Sequence, residues 1–277
     1  MKTLFTTLLI IVTSFQISFA QQHFTKGSPL PCLEKKFTVV AHIVRDTFGE
    51  LNITEADILL AIDSLNFYFE PICASFQICE FRIIDNYQYD NPKNGNEFQQ
   101  MQVKFHQKNR INMFFVNNVS WSVDPCGFAT NSGIEMLEEG GILVNKSCLT
   151  PDLPAPKGLP HLVGHYFGLF DTNRGQGNEL VDGSNCLTAG DEICDTPSDP
   201  YVNGQDFYLP FGPPYLNGAD GGCRFVYTQG LDANGEYYRT HTSNIMSQYP
   251  EYCKCGFTHE QFVKMANTYL NAEDKMW

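Results

Sequence analysis

His161 and His165 are the residues whose type and spacing most directly suggest chemistry. They lie in Lys157-Gly158-Leu159-Pro160-His161-Leu162-Val163-Gly164-His165-Tyr166-Phe167-Gly168-Leu169-Phe170-Asp171. On a helix, side chains at i and i+4 project from one face, an arrangement that suits two ligands of one tetrahedral zinc ion. Gly168 can take a positive φ, end that helix and turn the chain back, so that Asp171 supplies a third ligand. Taken alone the H-x-x-x-H pair is a weak signal, because two histidines at this spacing are more often surface or satisfied core residues.

Two further segments add weight. One runs Val181-Asp182-Gly183-Ser184-Asn185-Cys186-Leu187-Thr188-Ala189-Gly190-Asp191-Glu192-Ile193-Cys194-Asp195-Thr196-Pro197-Ser198-Asp199-Pro200. The other is Asn244-Ile245-Met246-Ser247, followed by Cys253-Lys254 and Phe257-Thr258-His259-Glu260-Gln261. In this order and spacing the three segments resemble the pappalysin-type (cytophagalysin-like) metzincins, secreted zinc metalloendopeptidases. The resemblance spans roughly residues 37–270.

The resemblance implies an α+β metzincin fold within a single domain of residues 36–277. An upper lobe (36–170) would hold a twisted five-stranded mixed sheet with two long helices. A loop-rich, disulfide-rich lower lobe (171–277) would hold a Met-turn and a C-terminal helix, with a peptide-binding cleft between the lobes. Carried over position by position, His161 and His165 are zinc ligands and Met246 is the Met-turn methionine. The family usually places a third His where this chain has Asp171, a competent zinc ligand on chemical grounds. Cys186, Cys194 and Cys253 fall on family-like positions, and Cys223 is their expected fourth partner. Related enzymes bind calcium in the lower lobe. Asp182, Asp191, Asp195 and Asp199 suit Ca²⁺ as hard oxygen ligands, and they equally suit a solvated loop of Asx-turns.

The sequence departs from the family where catalysis is concerned. Leu162 stands where H-E-x-x-H places the glutamate that takes the proton from zinc-bound water. Losing a general base typically costs about 10²–10⁴ in rate, or roughly 3–5.5 kcal/mol of barrier. Relatives commonly carry a tyrosine two residues after the Met-turn methionine. Here that position is Gln248, and Tyr249 follows as a displaced candidate for oxyanion stabilisation. Pro160, just before His161, requires the zinc helix to begin late or to kink. No catalytic residue is therefore assigned, and the first expectation is a zinc-binding member with impaired hydrolysis. The alternatives are an active zinc endopeptidase with an unusual base and a non-catalytic module that binds peptide or protein with the fold alone.

Other elements must position these residues. Phe37–Val44 reads as a buried strand. Thr54 caps a helix whose Ile58, Leu59, Ile62, Leu65 and Phe69 recur at helical spacing. Phe81–Ile84, Ile111–Val116 and Gly141–Val144 read as further strands, with a helix over about Glu97–Lys108. This alternation implies a mostly parallel sheet. Thr258, with Gln261 three residues on, caps a closing helix with Phe262, Met265, Ala266 and Leu270 on its apolar face.

Composition sets the outer bounds. The chain has 277 residues, a formal net charge of −13 and 43% hydrophobic residues. The acidic balance argues against nucleic acid as a partner. Residues 1–20 read as a signal peptide, with Lys2, an apolar run Leu4–Val12 and a cleavage point near Ala20. An extended lead-in, 21–35, follows. No later stretch is apolar enough to span a bilayer, so a secreted protein, extracellular or periplasmic, is expected, as a monomer. The 10 cysteines fit up to five disulfides in an exported chain. Beyond the four lower-lobe cysteines, proximity suggests Cys73 with Cys79 and Cys126 with Cys148, leaving Cys32 and Cys255, a pair that would tie the N-terminus to the lower lobe.

Overall fold

The structure, a computed structural model, describes residues 29–124, 126–136, 139–149, 157–205, 215–217, 222–227 and 230–273. The expected signal peptide and most of the lead-in lie outside the described residues, as do Phe207, Tyr208 and Phe211, which by sequence suit a cleft lining and a packed loop equally.

Five strands form one sheet: β1 (Lys35–Val44), β2 (Ala74–Ile84), β3 (Ile111–Val116), β4 (Gly127–Ala129) and β5 (Ile142–Asn145). The order is β2-β1-β3-β5-β4, parallel except for β4, which pairs antiparallel to β5. Among the described residues four α-helices accompany it: α1 (Glu55–Phe69), α2 (Gly95–Phe105), α3 (Gly158–Tyr166) and α4 (His259–Asn271).

The period-2 alternation of strand side chains divides the core into two layers. Phe37, Val39, Ala41 and Ile43 of β1, with Ile111, Met113 and Phe115 of β3, pack on one face. There they meet Ile58, Ile62 and Leu65 of α1, Leu159, Leu162 and Val163 of α3, and Phe262 and Met265 of α4. Phe114, Val116 and Leu143 face the other way, against Phe98 and Met101 of α2. Both α1 and α4 open with capping boxes, at Thr54 with Asp57 and at Thr258 with Gln261. Leu59 and Leu270, expected on apolar faces, are exposed. Each lies one residue off its helix's buried stripe, beside Ile58 and Tyr269.

Two strand expectations change. β2 begins at Ala74, well before Phe81, because its polar residues sit on a half-covered outer strand. β4 carries no sequence signal. At three residues it is too short to show alternation.

The disulfides are Cys32–Cys73, Cys126–Cys148, Cys186–Cys194 and Cys223–Cys253, with Cys79 and Cys255 free and exposed. The lower-lobe four and the Cys126–Cys148 pair match expectation. Cys73 does not pair with Cys79, nor Cys32 with Cys255. Cys79 stands six positions along an extended strand from Cys73, about 20 Å at strand rise, far beyond disulfide reach. It is also the extra residue of a bulge, since β1 pairs Val39 with Ile78 and Val40 with Glu80. Cys32 instead enters β1 beside the turn before β2, where Lys35 pairs with Ala74.

Candidate metal centre

α3 is nine residues long. Pro160 is its third residue, inside the first turn, where an amide has no intrahelical acceptor to lose. Lys157, at the helix N-cap, offers no side-chain cap. The Glu251 carboxylate substitutes, accepting from Lys157 N at 3.0 Å. Negative charge at a helix N-terminus is favourable, and here it ties the helix to the segment after the Met-turn.

At the other end Gly168 has φ +88°, as the sequence suggested. Its N–H donates to His165 O at 2.8 Å, and Leu169 N donates to Gly164 O at 3.0 Å. This turn aims the Leu169 carbonyl at His165 Nδ1, 2.9 Å away, and returns Asp171 to the helix. Below the helix, a Cβ on Gly164 would lie 2.5 Å from Met246 Sδ. Only glycine at 164 lets the fully buried Met246 pack there. The same turn directs Ile245 O to His161 Nδ1 at 2.8 Å.

Both Nδ1 atoms thus face backbone carbonyls, which only accept, so each must carry the ring proton. In the neutral form each ring then presents a bare Nε2 lone pair toward the other, 3.0 Å away. Asp171 Oδ1 lies 3.3 Å from His161 Nε2 and 3.4 Å from His165 Nε2. A fourth group, not singled out by the sequence, completes the cluster. Asp124 Oδ1 is 3.0 Å from His161 Nε2, and its Oδ2 is 3.5 Å from His165 Nε2. Among the described residues these four form the one His/Cys/Asp/Glu group whose ligand atoms converge, all within 4.8 Å.

The electrostatics call for a cation. Burial opposes charge on the histidines, but Asp124 at His161 and Asp171 at His165 more than offset it. Both rings are held above the usual histidine range, His165 well above. Burial likewise opposes charge on the two acids, yet the histidines draw both far below the usual carboxylate range. Two anions and two inward lone pairs are satisfied by protons or by a metal. Zinc bonds of about 2.0–2.2 Å at tetrahedral angles put neighbouring donor atoms roughly 3.3–3.6 Å apart. The observed 3.0–3.5 Å separations match that spacing to within a few tenths of an ångström, so the donor set fits zinc.

Leu162 is fully buried among the core residues. Its Cδ1 lies 3.1 Å from where a Cβ on Gly127 would stand, which puts it under strand β4. Gln248 points into the cluster and donates from Nε2 to Asp124 Oδ1 at 2.7 Å and to Asp171 Oδ1 at 2.9 Å. Tyr249 turns elsewhere: it is buried and its hydroxyl donates to Asp199 Oδ1 at 3.1 Å.

The four aspartates considered for calcium are each engaged in local hydrogen bonds. Asp182 accepts from Ser184 N and Asp195 from Glu260 N. Asp191 accepts from Ile193 N and Thr196, and Asp199 from Thr172 and Tyr201 N. None of them belongs to the group of converging ligand atoms found among the described residues.

The sheet with its single antiparallel edge strand, the histidine helix and the methionine turn beneath it form an α+β fold of the metzincin type. The similarity extends to mature mirolysin of Tannerella forsythia, solved in complex with a cleaved peptide. That match has a TM-score of 0.56 at 18% identity, covering 83% of this chain and 89% of that chain. Metalloproteinase-II from Bacteroides fragilis overlays more loosely, with a TM-score of 0.37 at 13% identity over 56% of this chain and 48% of that chain. No family model matches the sequence, and no curated protein matches it.

Proposed function

We propose that this chain is an exported zinc-binding protein of the pappalysin-type metzincin class. In this reading it holds peptide in the cleft, and its hydrolysis is weak or absent. The observation that carries the reading is the pairing of an intact metal cluster with a core leucine at the next helical position. His161, His165 and Asp171 would hold the ion, with Met246 packed beneath. In this fold zinc supplies Lewis-acid polarisation of a carbonyl and a water of lowered pKa. Leu162 has no group that can accept a proton, and Gln248 spends its donor on the two aspartates.

Peptide binding has its own support. β4 ends the sheet, and its outer edge pairs with no strand among the described residues. An extended peptide can add to such an edge through main-chain hydrogen bonds. Mirolysin was solved with a peptide bound. Export is supported by four disulfides. No helix among the described residues is long and apolar enough to cross a membrane.

The test is metal analysis combined with a peptide-library digest of the full chain. About one zinc per chain, lost on His161→Ala, with little or no cleavage, is the expected result. Robust zinc-dependent cleavage by the unaltered chain would overturn the impaired-hydrolysis reading. Absence of zinc would overturn the metal assignment.

A further inference from the structure

We propose that Asp124 is a fourth protein ligand. It would close the metal site as a His₂Asp₂ centre and take the position that a hydrolytic zinc keeps for water. This rests on the reading above that the cluster binds zinc.

Geometry places Asp124 among the ligands rather than beyond them. Its Oδ1 stands 3.0 Å from His161 Nε2 and its Oδ2 3.5 Å from His165 Nε2, whereas Asp171 presents the single atom Oδ1 to both, at 3.3 and 3.4 Å. Both carboxylates therefore approach the two histidines at the same range, Asp171 through one oxygen and Asp124 through two. A general base would stand farther out, in reach of a metal-bound water. Four protein ligands in a tetrahedron are the mark of a structural zinc site, whereas catalytic sites supply three and leave one position open. Exposure agrees: the side chains of His161, Asp124, His165 and Asp171 are 4%, 9%, 12% and 18% exposed.

Asp124 is also held in place. Its N–H donates to Ser122 Oγ at 3.1 Å, and its carbonyl accepts from Gly127 N at 3.3 Å. Two residues on, Cys126 is bridged to Cys148. Gly158 at the start of α3 lies against that bridge, where a Cβ would meet Cys126 Sγ at 2.5 Å. The bridged Cys126 thus packs the Asp124 loop against the helix that carries both histidines. Gln248 completes the support by donating to both carboxylates. Outer hydrogen bonds of this kind orient metal ligands.

The experiment uses the full chain, stripped of metal and reloaded with Co²⁺ as a spectroscopic probe, and compares it with Asp124→Ala and the isosteric Asp124→Asn. Acetohydroxamate probes for an open coordination position. The unaltered protein should show a tetrahedral cobalt spectrum that hydroxamate does not change. Asp124→Ala should bind metal at least tenfold more weakly and give a spectrum that hydroxamate shifts. Asp124→Asn keeps the side-chain volume, so it decides the affinity comparison if the alanine variant folds poorly. A hydroxamate-sensitive spectrum in the unaltered protein would overturn the proposal. So would metal affinity unchanged in both variants while His161→Ala abolishes binding, a result that leaves the zinc reading standing and points to Asp124 as a base outside the ligand set. No cobalt or zinc bound by the unaltered chain would overturn both.

Discussion

Gln248 Nε2 donates to Asp171 Oδ1 at 2.9 Å. The same amide also reaches Asp124, at 2.7 Å. One side chain therefore orients two carboxylates of opposite origin, one from the loop before β4 and one from the turn after α3. Removing an outer-shell partner typically costs 10–100-fold in metal affinity. Gln248→Leu should weaken zinc binding by about that factor while leaving the fold intact, as read by competition with a chromogenic chelator. Unchanged affinity would mean that the carboxylates orient themselves.

Gly164 predicts a different kind of loss. An added Cβ would meet Met246 Sδ at 2.5 Å, in the middle of a buried side chain. Overpacking of this kind costs about 1–3 kcal/mol. Gly164→Ala should lower stability by that amount in urea unfolding. Met246→Ala in the same chain should recover part of it, because the clash disappears. A fully additive double variant would contradict the direct contact.

Much of this was legible in the sequence, for identifiable reasons. Thr54 and Thr258 announce their helices because a cap and its third-residue partner are local. His161, His165, Gly168 and Asp171 are legible for the same reason, lying within three turns of chain. Asp124 was not. Its approach depends on β4 joining the sheet edge antiparallel and on the Cys126–Cys148 bridge, and no spacing rule connects it to α3. By sequence, Gln248 holds the position of the family's tyrosine and Tyr249 is the displaced candidate for oxyanion stabilisation. The turn instead sends the amide to the cluster and the phenol to Asp199, an outcome set by tertiary packing.

Restoring hydrolysis should require two changes. Leu162→Glu supplies the missing base but leaves Asp124 in the cluster, and Asp124→Ala opens the cluster without a base. The double variant should cleave denatured protein at least about 10²-fold faster than either single variant, the lower end of what a general base contributes. Zinc-dependent cleavage by Leu162→Glu alone, equal to that of the double variant, would show that Asp124 does not block the site.

His42 should set the acid limit of stability. It is fully buried on β1, stacked on Phe114, with Nε2 bonded to Asn112 Oδ1 at 3.0 Å. Burial pushes its pKa down to about 4. The folded chain therefore keeps the ring neutral where the unfolded chain protonates it. Stability is complete above about pH 6.5 and falls as pH drops toward 4, by on the order of 3 kcal/mol in total. His42→Phe should flatten that limb in thermal melts taken across the range. An unchanged limb would assign the acid sensitivity to other groups.

Glu179 acts with the opposite sign. Burial, with the nearby Asp191 and Asp199, pushes its pKa up to about 8. Burial likewise raises Asp191 to about 7 and Asp199 to about 6. Above about pH 4.5 the unfolded chain releases the Glu179 proton while the folded chain retains it, so folding loses stability as pH rises until about pH 8. Glu179→Gln, which is neutral at every pH, should raise the melting temperature more at pH 8 than at pH 5 when both are measured in EGTA. A gain independent of pH would show that Glu179 is already ionised in the folded lobe.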